Sequence, residues 1–375
     1  MTRNLSTAVA DHLSRVLPSA SERRPFVDLF RGLLIVHMAL DHASLMFNAG
    51  RGPEELSRAD GLPTTDLFQF LTRFTGVPVA PAFFFMAGFM VALTTHLRAQ
   101  RGVPAADITR RLITRGLVLI AVDTLIMGLP RALMGFYSFM VLTSIGVAII
   151  AVALLRHVPS RVLLPIALAV LILHPLLDVS ALPLVVRGVL YEPVRSGAFR
   201  SLYPVIPWTA ILLLGFVAGR DAITRAHPIR FWFALAATSF GAFLLVRLTG
   251  DYGNAYPYAH VASLEFLSFA KYPPDLPFLT WSFTCIFLTL PLLALLTRNG
   301  VPPLLRPLEI FGRVPFFFYV VHFYVLGIAQ AILRTKVGLL ETYLIWVGLL
   351  VVMAPLCVWY YRKKRERPNF VTRYL

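Results

Sequence analysis

The sequence predicts an all-α protein, a polytopic integral membrane bundle of about ten transmembrane helices with both termini in the cytoplasm. Three observations support this fold class. Of the 375 residues, 57% are hydrophobic and only 14% are charged, whereas soluble domains carry about 25% charged residues. Apolar segments long enough to cross a bilayer recur along the whole chain. Basic residues collect in alternate connections between them, which is typical of cytoplasmic loops.

The apolar segments divide the chain into predicted spans and connections. They cover residues 26–48, 67–95, 112–130, 133–155, 162–180, 204–219, 230–249, 277–297, 310–333 and 339–361. With the N-terminus inside, most of the 35 Lys and Arg residues lie on the cytoplasmic side. We therefore expect an N-terminal cytoplasmic tail at 1–22, a transmembrane domain at 23–361 and a basic cytoplasmic tail at 362–375.

Composition also argues against several function classes. The formal net charge is +16, but the sequence has no basic run with interleaved aromatic residues, so nucleic acid is not an expected partner. Cys285 and Cys357 both lie within apolar segments and indicate neither a disulfide nor a metal site. No cluster of metal-ligand spacing stands out, so no metal cofactor is expected.

The first apolar segment carries charged and titratable groups that are costly in hydrocarbon unless each has a partner or a function. They are Asp28, Arg31, Asp41 and His42. At about 100° and 1.5 Å per residue, Arg31 and His42 fall within about 20° of one helix face and about 16 Å apart along it. Asp28 lies one turn before Arg31 and is expected to pair with it. The pattern predicts a site along this stripe, or a polar seam to neighbouring helices.

His42 is the first catalytic candidate, because histidine is the usual general base near neutral pH. Asp41 is its candidate carboxylate partner, since a nearby carboxylate can hold a histidine tautomer and stabilise the imidazolium. Adjacent helical residues point about 100° apart, so Asp41 need not orient His42 directly. His37 and Asp41, at i and i+4, are better placed to touch. A histidine that only packs is the alternative.

A second histidine, His322, lies about midway through the ninth segment, at a depth close to that of His42. Tyr319 precedes it by three residues and shares its helix face. The two histidines predict a shared catalytic site between the first and ninth spans, to which Tyr319 contributes. An aromatic packing seam with one hydrogen-bonded histidine explains the same pattern.

A basic inner connection, residues 96–115, carries the candidate cofactor-binding arginines Arg110, Arg111 and Arg115. Arg111 and Arg115 share a helix face at i and i+4. Because arginine forks match phosphate oxygens bidentately, this connection is a candidate clamp for a nucleotide-bearing cofactor. An ordinary positive-inside loop is the alternative. Neither a Walker A sequence nor a dinucleotide fingerprint occurs.

Three residues near the predicted outer interface are candidate substrate-binding groups: Trp208, Lys271 and Tyr272. Trp, Tyr and Lys at this depth also serve as membrane anchors, so the two interpretations stay open.

These stretches together resemble a known family. The sequences RPFVDLFRGLLIVHMALDH, APAFFFMAGF, RRLITRG, LYPVIPWTAILLLGFVAG, KYPPDLPFL and FGRVPFFFYVVHFY look like the bacterial relatives of heparan-α-glucosaminide N-acetyltransferase, within the wider transmembrane acyltransferase superfamily. The resemblance covers about residues 24–335 in the same order. It implies acyl transfer from cytoplasmic acyl-CoA, most simply acetyl-CoA, to an acceptor on the outer side.

The resemblance also implies roles for individual residues. Family-3 acyltransferases, which are similar here, place an arginine, ten residues and then a functional histidine on the first span, and Arg31 and His42 match that spacing. Their pair of loop arginines is only approximated by Arg110, Arg111 and Arg115. Heparan-α-glucosaminide N-acetyltransferase, the lysosomal enzyme of the family, has its catalytic histidine after this span. This chain has no histidine between Ala43 and Thr95. Either the base has moved onto the helix, or the chemistry differs.

We therefore expect a multi-pass protein of the cell (inner) membrane that transfers an acyl group to a hydroxyl or amine. The resemblance implies a glycan or glycolipid acceptor and a homodimer. In this hypothesis His42 is the base, Arg31 and Asp28 shape a channel, and His322 and Tyr319 position the acceptor or stabilise an oxyanion. A proton-coupled transporter is the main alternative, because the same Asp, Arg and His set could relay protons. A membrane scaffold without a functional site is the third interpretation.

Overall fold

The computed structural model describes residues 25–51, 66–224 and 229–366. The predicted N-terminal tail at 1–22 and residues 367–375 of the predicted C-terminal tail lie outside these described residues. The first half of the chain contains, in order, α1 (Pro25–Phe47), α2 (Leu67–Phe74), α3 (Val79–Gln100), α4 (Ala105–Ala121), α5 (Leu129–Leu133), β1 (Tyr137–Phe139), α6 (Val141–Leu155) and α7 (Ser160–Leu173). The second half contains α8 (Leu184–Leu190), β2 (Val194–Ser196), β3 (Phe199–Ser201), α9 (Val205–Thr224), α10 (Ile229–Thr249), α11 (Leu276–Leu296), α12 (Arg306–Arg313), α13 (Pro315–Leu333) and α14 (Leu339–Glu366).

The protein is a helical membrane bundle, as its composition predicts. Within the described ranges, 7 helical segments are long and apolar enough to cross a membrane: α1, the continuous stretch of α2 and α3, α9, α10, α11, α13 and α14. Two shorter apolar helices, Val141–Leu155 and Ser160–Leu176, accompany them. A π-helical turn, Val122–Met127, continues α4.

Three predicted boundaries are wrong. The segment 133–155 is helical as a span only from Val141, because Gly135 takes a left-handed φ of 85° and residues 137–139 form a strand. That strand pairs in parallel with β3, which pairs antiparallel with β2. The segment 310–333 breaks at Val314, since the following Pro315 favours the start of a new helix. Residues 362–366 belong to α14 rather than to a separate tail.

Glycines allow two pairs of helices to approach closely, as is common in membrane bundles. A Cβ on Gly88 of α3 would lie 1.9 Å from the backbone oxygen of Leu212 in α9. A Cβ on Gly312 of α12 would lie 1.7 Å from the backbone oxygen of Asp28 in α1. No side chain fits at either crossing. The second contact brings Arg313, the next residue, beside the N-terminal end of α1.

Helix α1 lies between two hydrophobic clusters and contributes to both. Its Phe30 and Leu34 pack into the larger cluster with α3, α4, α6, α9 and α11. Its Ile35 and Ala39 pack into a second cluster with α13 and α14. The polar stripe of α1 is therefore enclosed by protein on several sides, which is how charged groups are accommodated at membrane depth.

Candidate functional site

A cavity of about 380 Å³ opens between α1, α3, α4, α6 and α13. This is within the usual range of small-molecule sites, about 300–1,000 Å³. One end, the outer end, is lined by Asp41, His42, Tyr203, Lys271 and Tyr319. The other, the inner end, is lined by Arg31, Arg98, Arg111, Arg115, Arg313 and Lys364. Arg31 and His42 line the same cavity, as their shared helix face predicts.

The two predicted histidines meet. His42 Nδ1 lies 2.8 Å from His322 Nε2, and His322 Nδ1 lies 3.0 Å from the backbone oxygen of Phe318. The carbonyl can only accept, so His322 carries its proton on Nδ1 and its Nε2 accepts a hydrogen bond from His42 Nδ1–H. The remaining nitrogen, His42 Nε2, is then unprotonated and has no hydrogen-bond partner within the described ranges. A neutral His42 in this tautomer can act as a base or nucleophile.

The two histidines have different access to the cavity. His322 is completely buried and does not line it, whereas His42 is half-buried and does. The predicted role of His322 in positioning the acceptor or stabilising the oxyanion stays a prediction, and its side chain could play that role only through a residue of the cavity wall. The rings stack with centroids 5.1 Å apart, and Phe323 packs against both. The structure thus places the His322 side chain against His42 and behind the cavity wall.

Asp41 is not the orienting partner of His42. Its Oδ1 lies 3.0 Å from Arg51 Nη2, and Arg51 Nη1 donates a hydrogen bond of 2.8 Å to the Asp41 backbone oxygen. The predicted contact of His37 with Asp41 is also wrong, because His37 Nδ1–H donates to the Leu33 backbone oxygen at 2.9 Å. Asp41 remains at the cavity wall, but its charge is already balanced.

The inner end is strongly cationic. The predicted pair of Arg31 with Asp28 is present, with Nη1 and Oδ1 3.8 Å apart. Arg313 lies 4.0 Å from the same carboxylate and also pairs with Glu309. These two carboxylates pair with Arg31 and Arg313, which are two of the six positive side chains that line this end of the cavity.

Arg115 is the most informative of the remaining cations. Its Nε is buried and has no hydrogen-bond partner in the part of the chain that the structure describes. Arg115 lies close enough to Arg31 and Arg98 to be repelled by their positive charges. Lys364 is repelled in the same way by Arg115 and Arg31. A buried donor among like charges is unfavourable without an anion, so the cluster fits a ligand that carries phosphates.

A comparison with known families agrees with this arrangement. The model of the family described as heparan-alpha-glucosaminide N-acetyltransferase, catalytic, matches residues 23–252, which is more than half of the chain. The chain belongs to this family. No curated protein matches it. The family indicates a membrane-embedded acetyltransferase, and over residues 23–252 it confirms the predicted resemblance to heparan-α-glucosaminide N-acetyltransferase.

The family match covers only part of the site of this acetyltransferase. It includes α1, α3 and α4, with His42, Asp41 and the arginines of the inner end that these helices carry. Several cavity or partner residues lie beyond residue 252, among them Lys271, Arg313, Tyr319, His322 and Lys364. The loop that carries Lys271 and the last three helices, α12, α13 and α14, therefore complete a cavity whose other wall is the family's matched region.

The structure separates the other predicted site residues of the acetyltransferase into two groups. Lys271 and Tyr319 line the cavity, whereas Arg110 is exposed on α4 and does not. Trp208 is fully buried between Phe84, Tyr203 and Phe278, and Tyr272 meets Tyr203 edge-on. Arg110, Trp208 and Tyr272 do not line this cavity, and their predicted roles in ligand binding stay untested predictions. The rings of Trp208 and Tyr272 pack against the ring of Tyr203 instead.

Sequence reasoning missed several side chains of the cavity or its partners: Arg51, Arg98, Tyr203, Arg313 and Lys364. Arg98 and Arg313 occur in stretches that the sequence had already singled out, so their charge was a usable signal. Arg51 lies ten residues after Asp41, beyond the end of α1, where helical spacing gives no information. Lys364 was assigned to a tail because a span of ordinary length would have ended before it.

Proposed function

We propose that the protein transfers an acetyl group from cytoplasmic acetyl-CoA to a hydroxyl or amine of a sugar on the outer side of the membrane. The observation that carries this proposal is that one cavity joins a cluster of six cationic side chains to His42. Arg31 and His42 are separated by about 16 Å of helix. That distance suits a donor whose charged and reactive groups lie at opposite ends of an extended arm, as they do in acetyl-CoA.

The inner end is proposed to bind the donor phosphates. Arg111 and Arg115 project from one face of α4, and guanidinium groups bind phosphate oxygens through charge-assisted, bidentate hydrogen bonds. The unpartnered Nε of Arg115 is the donor that a phosphate would satisfy. The walls between the two ends are mostly apolar, with Met86, Met90 and Ile149 among their residues, which suits an uncharged arm.

The outer end is proposed to carry out the chemistry. His42 Nε2 accepts the proton of the acceptor as its oxygen or nitrogen attacks the thioester carbonyl, the carbon–sulfur bond breaks, and the proton passes to the departing thiolate. His322 holds the Nδ1 proton of His42 in place throughout. Tyr319, which lines the cavity beside these rings, is a candidate donor to the carbonyl oxygen as negative charge develops.

The same geometry accommodates attack by His42 Nε2 itself. In that route the acetyl group would pass first to the imidazole and then to the acceptor. Retention of labelled acetyl on His42 in the absence of acceptor distinguishes this route from direct transfer.

The membrane arrangement is part of the proposal. The inner end, where Arg111, Arg313 and Lys364 collect, is assigned to the cytoplasm by the positive-inside rule. With α4, α6 and α7 as additional short spans, the chain would cross the cell (inner) membrane ten times, with both termini cytoplasmic. A glycan or glycolipid acceptor and a homodimer complete the proposal.

Acetyl-CoA binding to the purified protein, measured by calorimetry, tests the donor site. We expect the double variant Arg111→Ala/Arg115→Ala to raise Kd by about 100-fold or more, since hydrogen bonds to charged groups contribute about 1.5–3 kcal/mol each and about 1.4 kcal/mol is a factor of ten. Arg110→Ala is the matched control, because Arg110 lies on the same helix but outside the cavity, and it should bind normally.

If the wild-type protein did not bind acetyl-CoA, this proposal would be contradicted. A proton-coupled transporter would use the same histidines without needing the cationic inner end, and proton flux that depends on His42 would then become the better explanation.

A further inference from the structure

A small sheet lies beside the outer end of the cavity. Its central strand, β3, pairs in parallel with β1 on one side and antiparallel with β2 on the other. β1 ends at Phe139, two residues before Val141, and β3 ends at Ser201, two residues before Tyr203. Val141 and Tyr203 both line the cavity. Because two residues span at most about 7 Å of chain, the ends of both strands lie close to the cavity.

One row of residues crosses this sheet and carries two arginines. Ser138 of β1 lies opposite Arg200 of β3, which in turn lies opposite Arg195 of β2. Side chains that lie opposite one another project from the same face of a sheet. Arg195 and Arg200 are exposed, whereas their strand neighbours Val194 and Ser201, which project from the other face, are buried. The two arginines therefore lie on the solvent-facing side of the sheet.

Positive charge is concentrated along this row. Arg195 and Arg200 are directly opposed on antiparallel strands, which places their Cβ atoms about 4.5–5.5 Å apart, and like charges in such a pair destabilise a sheet. Arg131 adds a third guanidinium, because its Nη1 donates a hydrogen bond of 2.9 Å to Ser138 Oγ. The Arg200 guanidinium lies 4.1 Å from the centroid of the Phe136 ring, a contact that orients its plane and leaves its N–H edges available.

The carboxylates of this part of the chain have other partners. Residues 123–203 contain three of them: Asp123, Asp178 and Glu192. Glu192 pairs with Arg187 at 2.8 Å, and Asp178 accepts a backbone N–H hydrogen bond of 3.0 Å within its own turn. Asp123 is buried and accepts a backbone N–H hydrogen bond of 2.8 Å from α6, and the positive charge of Arg131 acts on it. Arg131 is therefore compensated in part by Asp123.

Arg195 and Arg200 lack such compensation. Within the described ranges, neither side chain forms an ion pair or a hydrogen bond. Their position also runs against the positive-inside rule, which collects basic residues at the cytoplasmic face. A pair of opposed arginines on the outer side favours the binding of an external anion, because such an anion relieves the repulsion between them.

Phosphate is the anion that fits two adjacent guanidinium groups best. Each guanidinium presents a planar fork of N–H donors that binds two oxygens side by side. A carboxylate has two oxygens, which one fork occupies, whereas a phosphate group has up to three acceptor oxygens in a tetrahedral arrangement. A phosphate can therefore accept hydrogen bonds from both forks at once.

The position of the pair relative to the cavity indicates which part of a ligand it binds. Arg200 precedes Tyr203 by three residues, or at most about 11 Å of extended chain. Arg195 lies on the adjacent strand, about 4.8 Å away. Neither arginine lines the cavity that His42 faces. A phosphate bound between them would lie outside the mouth of the cavity, on a part of the ligand that is not acetylated.

We propose that Arg195 and Arg200 bind a phosphate group of the acceptor, and that the acceptor is a phosphorylated glycan or glycolipid. This inference rests on the acetyl transfer proposed above and narrows the class of its acceptor. The phosphate belongs to the acceptor itself rather than to the headgroups of the surrounding bilayer. Hydrogen bonds alone hold it at the sheet, while another sugar unit of the same molecule reaches His42.

The charge of the product tests the inference without knowledge of the acceptor. Inside-out vesicles from cells that express the protein are supplied with acetyl-labelled acetyl-CoA, and vesicles with His42→Ala give the background. We expect the product label that depends on His42 to be retained by an anion-exchange column. Removal of phosphate, by phosphatase or by cold hydrofluoric acid for a diester, should shift this acetyl label to earlier elution.

Variants of the arginine pair provide the second measurement. Heat-treated membrane extract from cells with His42→Ala supplies unmodified acceptor, which is titrated against purified protein and acetyl-CoA in detergent. We expect Arg195→Gln/Arg200→Gln to raise the half-saturating amount of extract about tenfold, since each exposed ion pair contributes up to about fivefold. The maximal rate and the Kd for acetyl-CoA should not change, because the pair lies outside the cavity.

Two further variants support this comparison. Lys336→Gln is the matched control, because this outer lysine is exposed and belongs neither to the sheet nor to the cavity wall, and it should leave the half-saturating amount unchanged. Arg195→Lys/Arg200→Lys keeps both charges but loses the planar forks. It should raise the half-saturating amount by about twofold to threefold, and it provides the comparison if the glutamine variant does not fold.

The outcomes separate the two proposals. A product whose elution does not change when phosphate is removed overturns the inference while acetyl transfer stands. An unchanged half-saturating amount for the arginine variants also overturns it, and would mean that the pair contacts only bilayer headgroups or solvent. An equal rise with Lys336→Gln, or normal acetyl-CoA binding with no labelled product, overturns it as well. Loss of acetyl-CoA binding by the wild type counts against the proposed function instead.

Discussion

The two ends of the cavity are built in different ways. The inner end gathers six cationic side chains from α1, α3, α4, α12 and α14, so its positive field comes from many long, adjustable groups. The outer end depends on one contact of 2.8 Å between His42 and His322. A distributed field tolerates the loss of any one member, whereas a hydrogen-bonded pair does not. Donor binding should therefore be robust to mutation, and chemistry should be fragile.

The largest effect expected from this difference is that of His42→Ala. Removal of the base should lower the single-turnover rate of acetyl transfer by about 10³-fold, since general bases contribute about 10²–10⁴-fold. Acetyl-CoA should still bind with unchanged affinity, because the proposed phosphate site lies at the other end of the cavity. Rapid-quench kinetics and calorimetry measure the two quantities.

His37→Ala is the matched control for that experiment. His37 lies on the same helix but outside the cavity, and its ring bonds to the helix backbone. Activity comparable to wild type is expected. An equal loss of activity in both variants would mean that the loss arises from a change in the fold of α1. The predicted difference between the two ends of the cavity would then be contradicted.

A smaller effect is expected at His322, which contacts His42 but does not line the cavity and is proposed to orient His42. His322→Leu removes the acceptor for His42 Nδ1–H and should lower kcat by about 10–100-fold, the usual effect of losing an orienting partner. KM for acetyl-CoA should not change. His322→Gln keeps a hydrogen-bond acceptor and should restore much of the rate.

That rescue distinguishes orientation from packing. If glutamine were no better than leucine, His322 would matter only as a buried ring, and the tautomer argument would be wrong. Thermal unfolding of both variants in detergent checks that the helices still pack.

The smallest effect should come from the inner end. Lys364→Ala removes one of six cations, and we expect Kd for acetyl-CoA to rise about twofold to fivefold, since a partly exposed ion pair contributes about 0.2–1 kcal/mol. Lys363→Ala, next to it but exposed and outside the cavity, should have no effect. A loss of binding as large as that of the double arginine variant would show that acetyl-CoA binding is not shared among the six cations of the inner end.

The sequence predicted the polar stripe of α1 well because helical periodicity is local. The shared face of Arg31 and His42, and the pairing of Arg31 with Asp28, depend only on residues within one helix. The same reasoning failed for His37 and Asp41. Both side chains had stronger partners available, one in the helix backbone and one in Arg51.

The sequence could suggest contacts between distant parts of the chain, but it could not determine which of these contacts form. The sequence placed His42 and His322 at similar depths, yet 280 residues separate them, and depth does not fix rotation about a helix axis. The tautomer of His42, and thus which nitrogen faces the cavity, follows only from that contact and from the Phe318 carbonyl. Similarly, Arg110 and Arg111 are adjacent in sequence, but the packing of α4 directs only Arg111 to the cavity.

The sequence by itself determined that this chain is a membrane bundle, which helix carries the polar stripe and which family the chain resembles. These properties follow from hydrophobicity, charge and the 3.6-residue turn, all of which act over short distances along the chain. Only the tertiary structure decided that His322 serves His42, that Arg51 neutralises Asp41 and that α12 and α14 supply cations to the inner end. Such contacts depend on how closely helices pack, as at Gly312 against α1, and that packing depends on the whole bundle.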